Sequence, residues 1–451
     1  GYNGTENFME DKRFGIFPAY SIGWVISEEP FFPRGGLISF LKLRASLGEV
    51  GNDQIGGARF LYRPSSYSYG QFGNYYHFGE YGVNYNRVIG SSEGLIGNPD
   101  LTWERARKVN FGAELSLWGD RLTLAFDIFA ERRKNILARR NSVPIIFGAN
   151  RPALDISQQV GYWLPAFNIG QMANDGCEGE LTYNNSAGRL EYWIKANYTF
   201  ARNEVLYRDE VPKLYEYQRR EGHRYEQMYG LLADGFYNTW EEVSDASRPV
   251  SKWNNDKIQP GDVKYKDING DGTIDQYDQV PLGYSNFPET IFGLSFGGRL
   301  GGIDFTVLLQ GATNVSMRYS KRTMQGWENE GGTLQQIIDN SWTYSRYQQG
   351  IRSIYPRPSA MLSGHNVQTS SLNIADASYL RLKSVEIGYT IPSAWAARVG
   401  LSSVRAFASA SNLVTWSDIL PGEDPENPPL GDLETYPLTM TWNIGLSIQF
   451  N

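Results

Sequence analysis

Residues 438–450 read LTMTWNIGLSIQF, a strict alternation of two kinds of side chain. Leu438, Met440, Trp442, Ile444, Leu446, Ile448 and Phe450 are apolar; Thr439, Thr441, Asn443, Gly445, Ser447 and Gln449 are polar or glycine. Period-two alternation puts the two sets on opposite faces of a β-strand. Strands in water-soluble domains average about five or six residues, and an edge strand is normally short or guarded by charge. A tilted strand that crosses a lipid bilayer needs about 9–11 residues. The stretch therefore suits a membrane-spanning strand, provided that the pattern recurs.

It recurs ten times. Alternating segments are expected at Phe14–Ser27, Ile38–Gly48, Val109–Leu117, Leu122–Glu131, Gly176–Asn184, Leu190–Phe200, Thr290–Gly298, Ile303–Gln310, Tyr379–Ile391 and Val404–Ser411. The phase slips near Ser384, as a β-bulge would require. The connections alternate in length. Those at 28–37, 119–121, 185–188, 299–302 and 392–402 are short or medium; those at 49–106, 134–175, 203–288, 313–378 and 414–437 are long. Outer-membrane barrels sort their connections in this way, with short periplasmic turns and long extracellular loops. The expected fold class is thus all-β: a transmembrane antiparallel β-barrel of about 11 strands with long extracellular loops. An odd strand count that starts outside implies that the chain contributes part of a barrel.

Composition excludes several other classes. The chain has 451 residues and a net charge of -7, which speaks against a general nucleic-acid surface. Its single cysteine, Cys177, excludes an internal disulfide framework. The three histidines, His77, His223 and His365, are far apart and none stands in a HExxH motif, which argues against a zinc enzyme. No run of 18 apolar residues predicts a transmembrane helix, a criterion that is silent on barrels. The first residues lack the basic start and apolar core of a signal peptide, so an exported protein would carry its leader elsewhere.

One stretch carries specific metal chemistry. In Asp267-Ile-Asn-Gly-Asp-Gly-Thr-Ile-Asp-Gln-Tyr-Asp278, oxygen-bearing side chains fall at loop positions 1, 3, 5, 9 and 12: Asp267, Asn269, Asp271, Asp275 and Asp278. Gly272 at position 6 permits the sharp turn, and the Thr273 carbonyl at position 7 would ligate. That is calcium-loop spacing, with Asp in place of the usual Glu at position 12. Gly261-Asp262 and Pro281-Leu282-Gly283 argue against flanking helices, so a structural calcium clip is expected within 203–288, not an EF-hand sensor. Weaker candidates are aromatic. Tyr67, Tyr69, Phe72, Tyr75, Tyr76, Phe78, Tyr81 and Tyr85 could stack on a ligand, or pack as the core of a large loop, which is the preferred reading. Trp163, Trp327 and Trp342 carry the same ambiguity, and Trp442 suits an interfacial girdle. Arg132, Arg133, Lys134, Arg139 and Arg140 form a basic cluster read as a solvated face after strand four. No carboxylate pair is arranged as in a hydrolase.

Several longer motifs resemble one family. They are Phe17-Pro18…Gly23-Trp24 with Glu28, Leu41-Lys-Leu-Arg-Ala-Ser46, Gly51-Asn52 and Gly97-Asn-Pro-Asp-Leu-Thr-Trp-Glu104. Others are Asn168-Ile-Gly-Gln…Asn174-Asp-Gly-Cys-Glu178, the run Gly261–Asp275, Pro288-Glu-Thr-Ile-Phe-Gly293 and Tyr379–Tyr389. Together they resemble the C-terminal half of SusC/RagA-type TonB-dependent transporters. The resemblance implies a 22-stranded barrel around a plug, of which this chain would supply residues 1–451 as the C-terminal barrel part. The plug, the TonB box and the first strands would lie outside it, on another chain or beyond this sequence. It also implies a SusD-like surface lipoprotein as partner, TonB coupling through the missing portion, outer-membrane localisation, and import of oligosaccharides or oligopeptides without catalysis. The penultimate place of Phe450, before Asn451, departs from the usual terminal aromatic residue. Two rivals remain: a calcium-stabilised β-rich surface carbohydrate-binding or adhesion protein, and a glycan hydrolase using acidic loop residues.

The face assignment of the last strand is directly testable. Ile444→Lys should lower membrane insertion by about 2–4 kcal/mol if residue 444 lies near mid-bilayer, whereas Asn443→Lys should insert nearly as well as the parent. Equal membrane yields for the two variants would overturn the assignment.

Overall fold

A computed structural model describes residues 1–54, 59–64, 68–69, 75–80, 86–92, 97–139, 165–320, 323, 327, 332–359, 364–427, 430–431 and 436–450. Its centre is an 11-stranded antiparallel sheet in which every strand pairs with its neighbours in chain order. The strands are β1 (Ala19–Val25), β2 (Ile38–Asn52), β3 (Glu104–Leu117), β4 (Leu122–Arg139), β5 (Ala166–Ala187) and β6 (Leu190–Tyr207). They continue with β7 (Thr290–Leu300), β8 (Ile303–Thr313), β9 (Tyr379–Thr390), β10 (Leu401–Ser417) and β11 (Thr441–Phe450). β1 and β11 end the sheet and do not pair with each other.

All eleven expected strands are present, and several run further. β4 and β5 are hydrogen-bonded as far as Arg139↔Ala166, so the expected excursion at 134–175 shrinks from both sides. β2 and β3 likewise pair out to Asn52↔Glu104. A ladder can continue where alternation fades, because its bonds are made by the backbone; residues 166–174 are half-buried or buried and are not sorted into an apolar and a polar face. Two strands are shorter than expected: β11 begins at Thr441 and not at Leu438, and the first strand is interrupted at Pro18. Phe14–Ile16 pairs instead with Tyr2–Gly4, and Pro18, which has no N–H to donate, separates that hairpin from β1. The expected slip in β9 is a bulge: Leu382 and Ser384 are paired with neighbours on both sides, and Lys383 is the extra residue.

The register reveals a stagger. One row of paired residues crosses ten strands through Trp24, Leu43, Ala113, Phe126, Gly179, Tyr198, Phe292, Gly311, Leu380 and Trp416. It starts beside the short-turn end of β1 and finishes near the long-loop end of β10. Strands in a barrel tilt and shift register in this manner, whereas a flat sheet has no reason to. The row is apolar or glycine throughout, and its face carries the exposed apolar residues Ile22, Phe111, Phe126, Ile128, Tyr198, Ile387 and Trp416. On β11, Ile444 is 93% exposed and Phe450 74%. A contiguous exposed apolar band of this extent fits lipid and not water.

The buried cores lie outside the sheet. Val315, Met317, Tyr319, Ile337, Tyr355, Ala377 and Leu420 form one cluster, drawn from the segments after β8 and β10. Leu231, Val263, Tyr265 and Ile274 form another, within the excursion between β6 and β7. Phe8, Phe17, Leu101 and Trp103 form a third, with Trp103 ring contacts to Phe17 at 5.1 Å and to Phe8 at 5.6 Å. Beside it, Asn168 accepts from Thr102 N–H at 2.9 Å and donates to the carbonyls of Thr102 and Asn135 at 2.8 Å. Asn98 donates to Ala166 O at 2.8 Å. The Gly97–Glu104 and Asn168-Ile-Gly motifs thus clamp one another.

A buried histidine joins the second cluster to residues 364–377. His365 is 2% exposed, its Nε2–H donates to Val263 O at 2.6 Å and its Nδ1 accepts from Ser251 Oγ at 2.8 Å. This pairing requires the neutral ring. Burial holds its pKa below the ordinary imidazole value, against an opposing hydrogen bond to Val263 and the nearby Asp262; Arg248 adds to the depression. A depressed imidazole pKa contributes stability above the unfolded value of about 6.5, and that contribution is lost as pH falls through the folded value. Amide protection factors, corrected for the intrinsic rate, around residues 251, 263 and 365 should therefore fall on acidification below about pH 6.5 in the full-length protein. His365→Gln should flatten this dependence; an unchanged pH profile would remove His365 as its cause.

Candidate functional site

The polar face of the sheet and the folded segments at its long-loop end make up the candidate site. Alternation leaves charged residues on the polar face, where they pair across strands. Arg44 of β2 pairs with Asp127 of β4, and Asn110 of β3 donates to the same carboxylate at 2.9 Å. Lys42 reaches Glu114 at 3.1 Å. Arg405 of β10 spans to Asp304 of β8 through Nε at 3.0 Å and to Glu386 of β9 at 2.7 Å. Gly388 makes room for it: a Cβ there would lie 2.4 Å from the guanidinium. The wall is thus polar without unpaired charge at these positions, which suits a surface lining an aqueous or protein-filled lumen.

Near the long-loop end, Arg381 is 1% exposed and ties the segment after β10 to the wall. It donates to Asp424 at 2.6 Å, Glu426 at 2.8 Å and Thr415 at 2.8 Å. Glu289, ahead of β7, accepts from Arg202 at 2.9 and 3.0 Å, from Asn314 at 3.1 Å and from Arg224. Buried charges need partners of this kind. Alternation marked Arg381 and Arg405 as polar-face residues, but their carboxylate partners come from other strands and loops that sequence spacing does not bring together.

The calcium-type loop lies between the short strands Val263–Tyr265 and Val280–Leu282, with no flanking α-helix. Its two ends differ. At the exposed end, Asp267 accepts from Gly270 N–H at 2.7 Å and Gly272 N–H at 2.8 Å; Asn269 accepts from Asp271 N–H at 3.0 Å. Asp271 accepts from Thr273 N–H at 2.8 Å, and Gly272 has the positive φ, +79°, that position 6 demands. At the inner end, Asp275 pairs with Lys252 and accepts from Tyr277 N–H at 2.7 Å. Asp278 is fully buried and accepts from Ile268 and Asp275 N–H groups, both at 2.8 Å. Burial pushes its carboxyl above the usual carboxylate range, against these backbone donors. The donor types suit a hard cation, but among the described residues no three His, Cys, Asp or Glu side chains are gathered as a metal site.

The other candidates separate. Trp342 is buried, with Nε1–H donating to Asn238 at 3.0 Å, whereas Trp327 is 39% exposed. Trp442 projects from the apolar face at 70% exposure. Tyr76 and Phe78 are exposed with ring centroids 5.9 Å apart, unlike a packed loop core. Tyr67, Phe72, Tyr81, Tyr85, Trp163 and Arg140 lie outside the described residues. The basic cluster is not a free face after strand four. It lies within β4, where Arg132 pairs with Asp175 and Arg133 with Glu104 and Glu131 at 2.8 Å. Asp175 and Glu104 come from the neighbouring strands and are remote in sequence, whereas Glu131 stands two residues away on β4.

Comparison with known proteins agrees with this architecture. A family model described as TonB dependent receptor-like, beta-barrel matches residues 9–413. TonB-dependent receptor P3 of Formosa agariphila is 25% identical over 99% of this chain and 43% of its own length. TonB-dependent receptor SusC of Bacteroides thetaiotaomicron is 25% identical over 100% of this chain and 41% of its own. The chain therefore spans less than half the length of these relatives. Among solved structures, the RagAB peptide importer in its closed-closed state superposes with a TM-score of 0.73 at 19% identity, covering 100% of this chain and 45% of that one. With a continuous staggered sheet, an apolar outer band and a family match across most of its length, the chain belongs to the TonB-dependent receptor-like β-barrel family.

Proposed function

We propose that this chain is the C-terminal barrel portion of an outer-membrane, TonB-dependent importer for oligosaccharides or oligopeptides. The observation that carries this reading is the family match together with a sheet that stops at two unpaired edges, β1 and β11. In lipid, open edges leave backbone groups unsatisfied, so those edges call for further strands. The relatives named as receptors and importers are more than twice as long as this chain, which supports assigning plug, TonB box and remaining strands to a missing portion. In this reading the long-loop end is extracellular and meets a SusD-like surface lipoprotein. The protein's role is passage and containment of cargo, with no covalent chemistry.

Disruption of the gene should abolish uptake of the cargo, and depletion of TonB should do the same. Purification in detergent should bring down the missing portion and a lipoprotein. A chain that is monomeric and soluble without detergent would overturn the reading.

The calcium clip belongs to the same proposal. Asp267, Asn269, Asp271 and the Thr273 carbonyl would supply the exposed side of the site, with Asp275 and Asp278 closing it. Support comes from the donor spacing and from the turn at Gly272. Calcium at millimolar concentration should slow amide exchange across residues 262–278 of the full-length protein, and Asp267→Ala should remove that protection. Exchange indifferent to calcium in the parent would exclude the clip.

A further inference from the structure

Beyond the polar wall and the metal-type loop, one cavity is lined by two arginines that form no ion pair among the described residues. It has a volume of about 310 Å³, within the range of small-ligand sites, and lies at the long-loop end between residues 220–229, 286, 318 and 369. Arg220 enters from the excursion between β6 and β7. Its guanidinium lies 3.8 Å from the Tyr229 ring centroid and donates to Gln227 O at 2.8 Å. The ring and that carbonyl hold the guanidinium, which forms no ion pair among the described residues; the Glu210 carboxylate accepts instead from the Arg220 backbone N–H at 3.1 Å. Arg318 enters from Ser316–Tyr319. In that strand Met317 and Tyr319 point into the core and the exposed Arg318 points the other way. Asn286 lines the same cavity; its buried Oδ1, an acceptor without a partner, calls for a donor and takes no part in holding an anion.

The contrast with the rest of this end of the molecule is informative. Arg202 and Arg224 are neutralised by Glu289, and Arg381 by Asp424 and Glu426. Among the described residues, neither Arg220 nor Arg318 has an ion-pair partner. The acid at the rim, Glu226, is exposed and engages the Tyr225 hydroxyl. Two planar guanidinium groups lining one cavity present forked sets of donors, which match the oxygens of a carboxylate or sulfate group.

The geometry points to Arg220 and Arg318 as a subsite for an anionic group, carboxylate or sulfate, on an oligomeric cargo. This rests on the importer reading and narrows it to acidic cargo. Neutral oligomers would leave both cations unpaired and gain nothing from the pocket.

The test uses the detergent-purified full-length importer with its partner lipoprotein. The probes are trigalacturonic acid, a chondroitin sulfate tetrasaccharide, a glutamate-rich hexapeptide and the neutral maltotetraose, followed by calorimetry. At least one acidic probe should bind, and Arg318→Ala should weaken it by about tenfold or more. Arg318→Lys should fall between, because the charge remains and the fork is lost. Binding by the uronate, the sulfated glycan or the peptide identifies the source of the anion. Arg318→Ala should keep the parent unfolding midpoint, since the side chain is exposed. If no acidic probe binds, or if Arg318→Ala binds them as the parent does, the subsite is wrong. Uptake in a gene-disrupted strain separates the two readings. An Arg318→Ala gene that restores full uptake sinks the subsite and spares the importer, whereas uptake unaffected by disruption sinks the importer.

Discussion

The backbone hydrogen-bond ladder is the constraint on which everything else in this protein depends. In an apolar medium no water is present to satisfy an N–H or C=O group, so each strand must be paired on both sides. Ten consecutive antiparallel pairings meet that demand from β1 to β11. The demand also explains the stagger of the paired row from Trp24 to Trp416, because a sheet closes on itself only when its strands tilt. The ladder leaves two edges unpaired, and this is the physical ground for placing the chain within a larger barrel.

With the ladder in place, the two faces obey different rules. The apolar face selects for contact with lipid and leaves Ile444 and Phe450 almost bare. The polar face must carry charge without stranding it. Arg405 does so by lying across Gly388 to reach carboxylates on two other strands. Arg44 and Asp127 achieve the same across β2–β4. These sets sit on residues that a strand pattern marks only as polar.

The long-loop end folds by the ordinary rules of water-soluble domains. Its cores around Met317 and Val263 are small and fully buried, and charged groups bind its segments to the wall through Arg381 and Glu289. His365 and Asp278 are buried titratable groups held by backbone partners. The asparagine clamp of Asn98 and Asn168 shows what two of the family-like motifs accomplish: they join the approach to β3 to the start of β5.

Strand number, strand order and face assignment were legible in the sequence, because period-two alternation records directly which side of a strand meets lipid. The bulge in β9 left its mark as a phase slip near Ser384. The ends of β4 and β5 were not legible, since backbone pairing continues there without an alternating side-chain pattern. The carboxylate partners of Arg132, Arg133, Arg381 and Arg405 were not legible either, and neither was the cavity of Arg220 and Arg318. Each joins residues separated by tens to hundreds of positions, and only tertiary packing decides which charges meet and which are left open. The metal-type loop stands between these cases: its donor spacing is local and readable, while the ion pair of Asp275 with Lys252 and the burial of Asp278 belong to the fold around it.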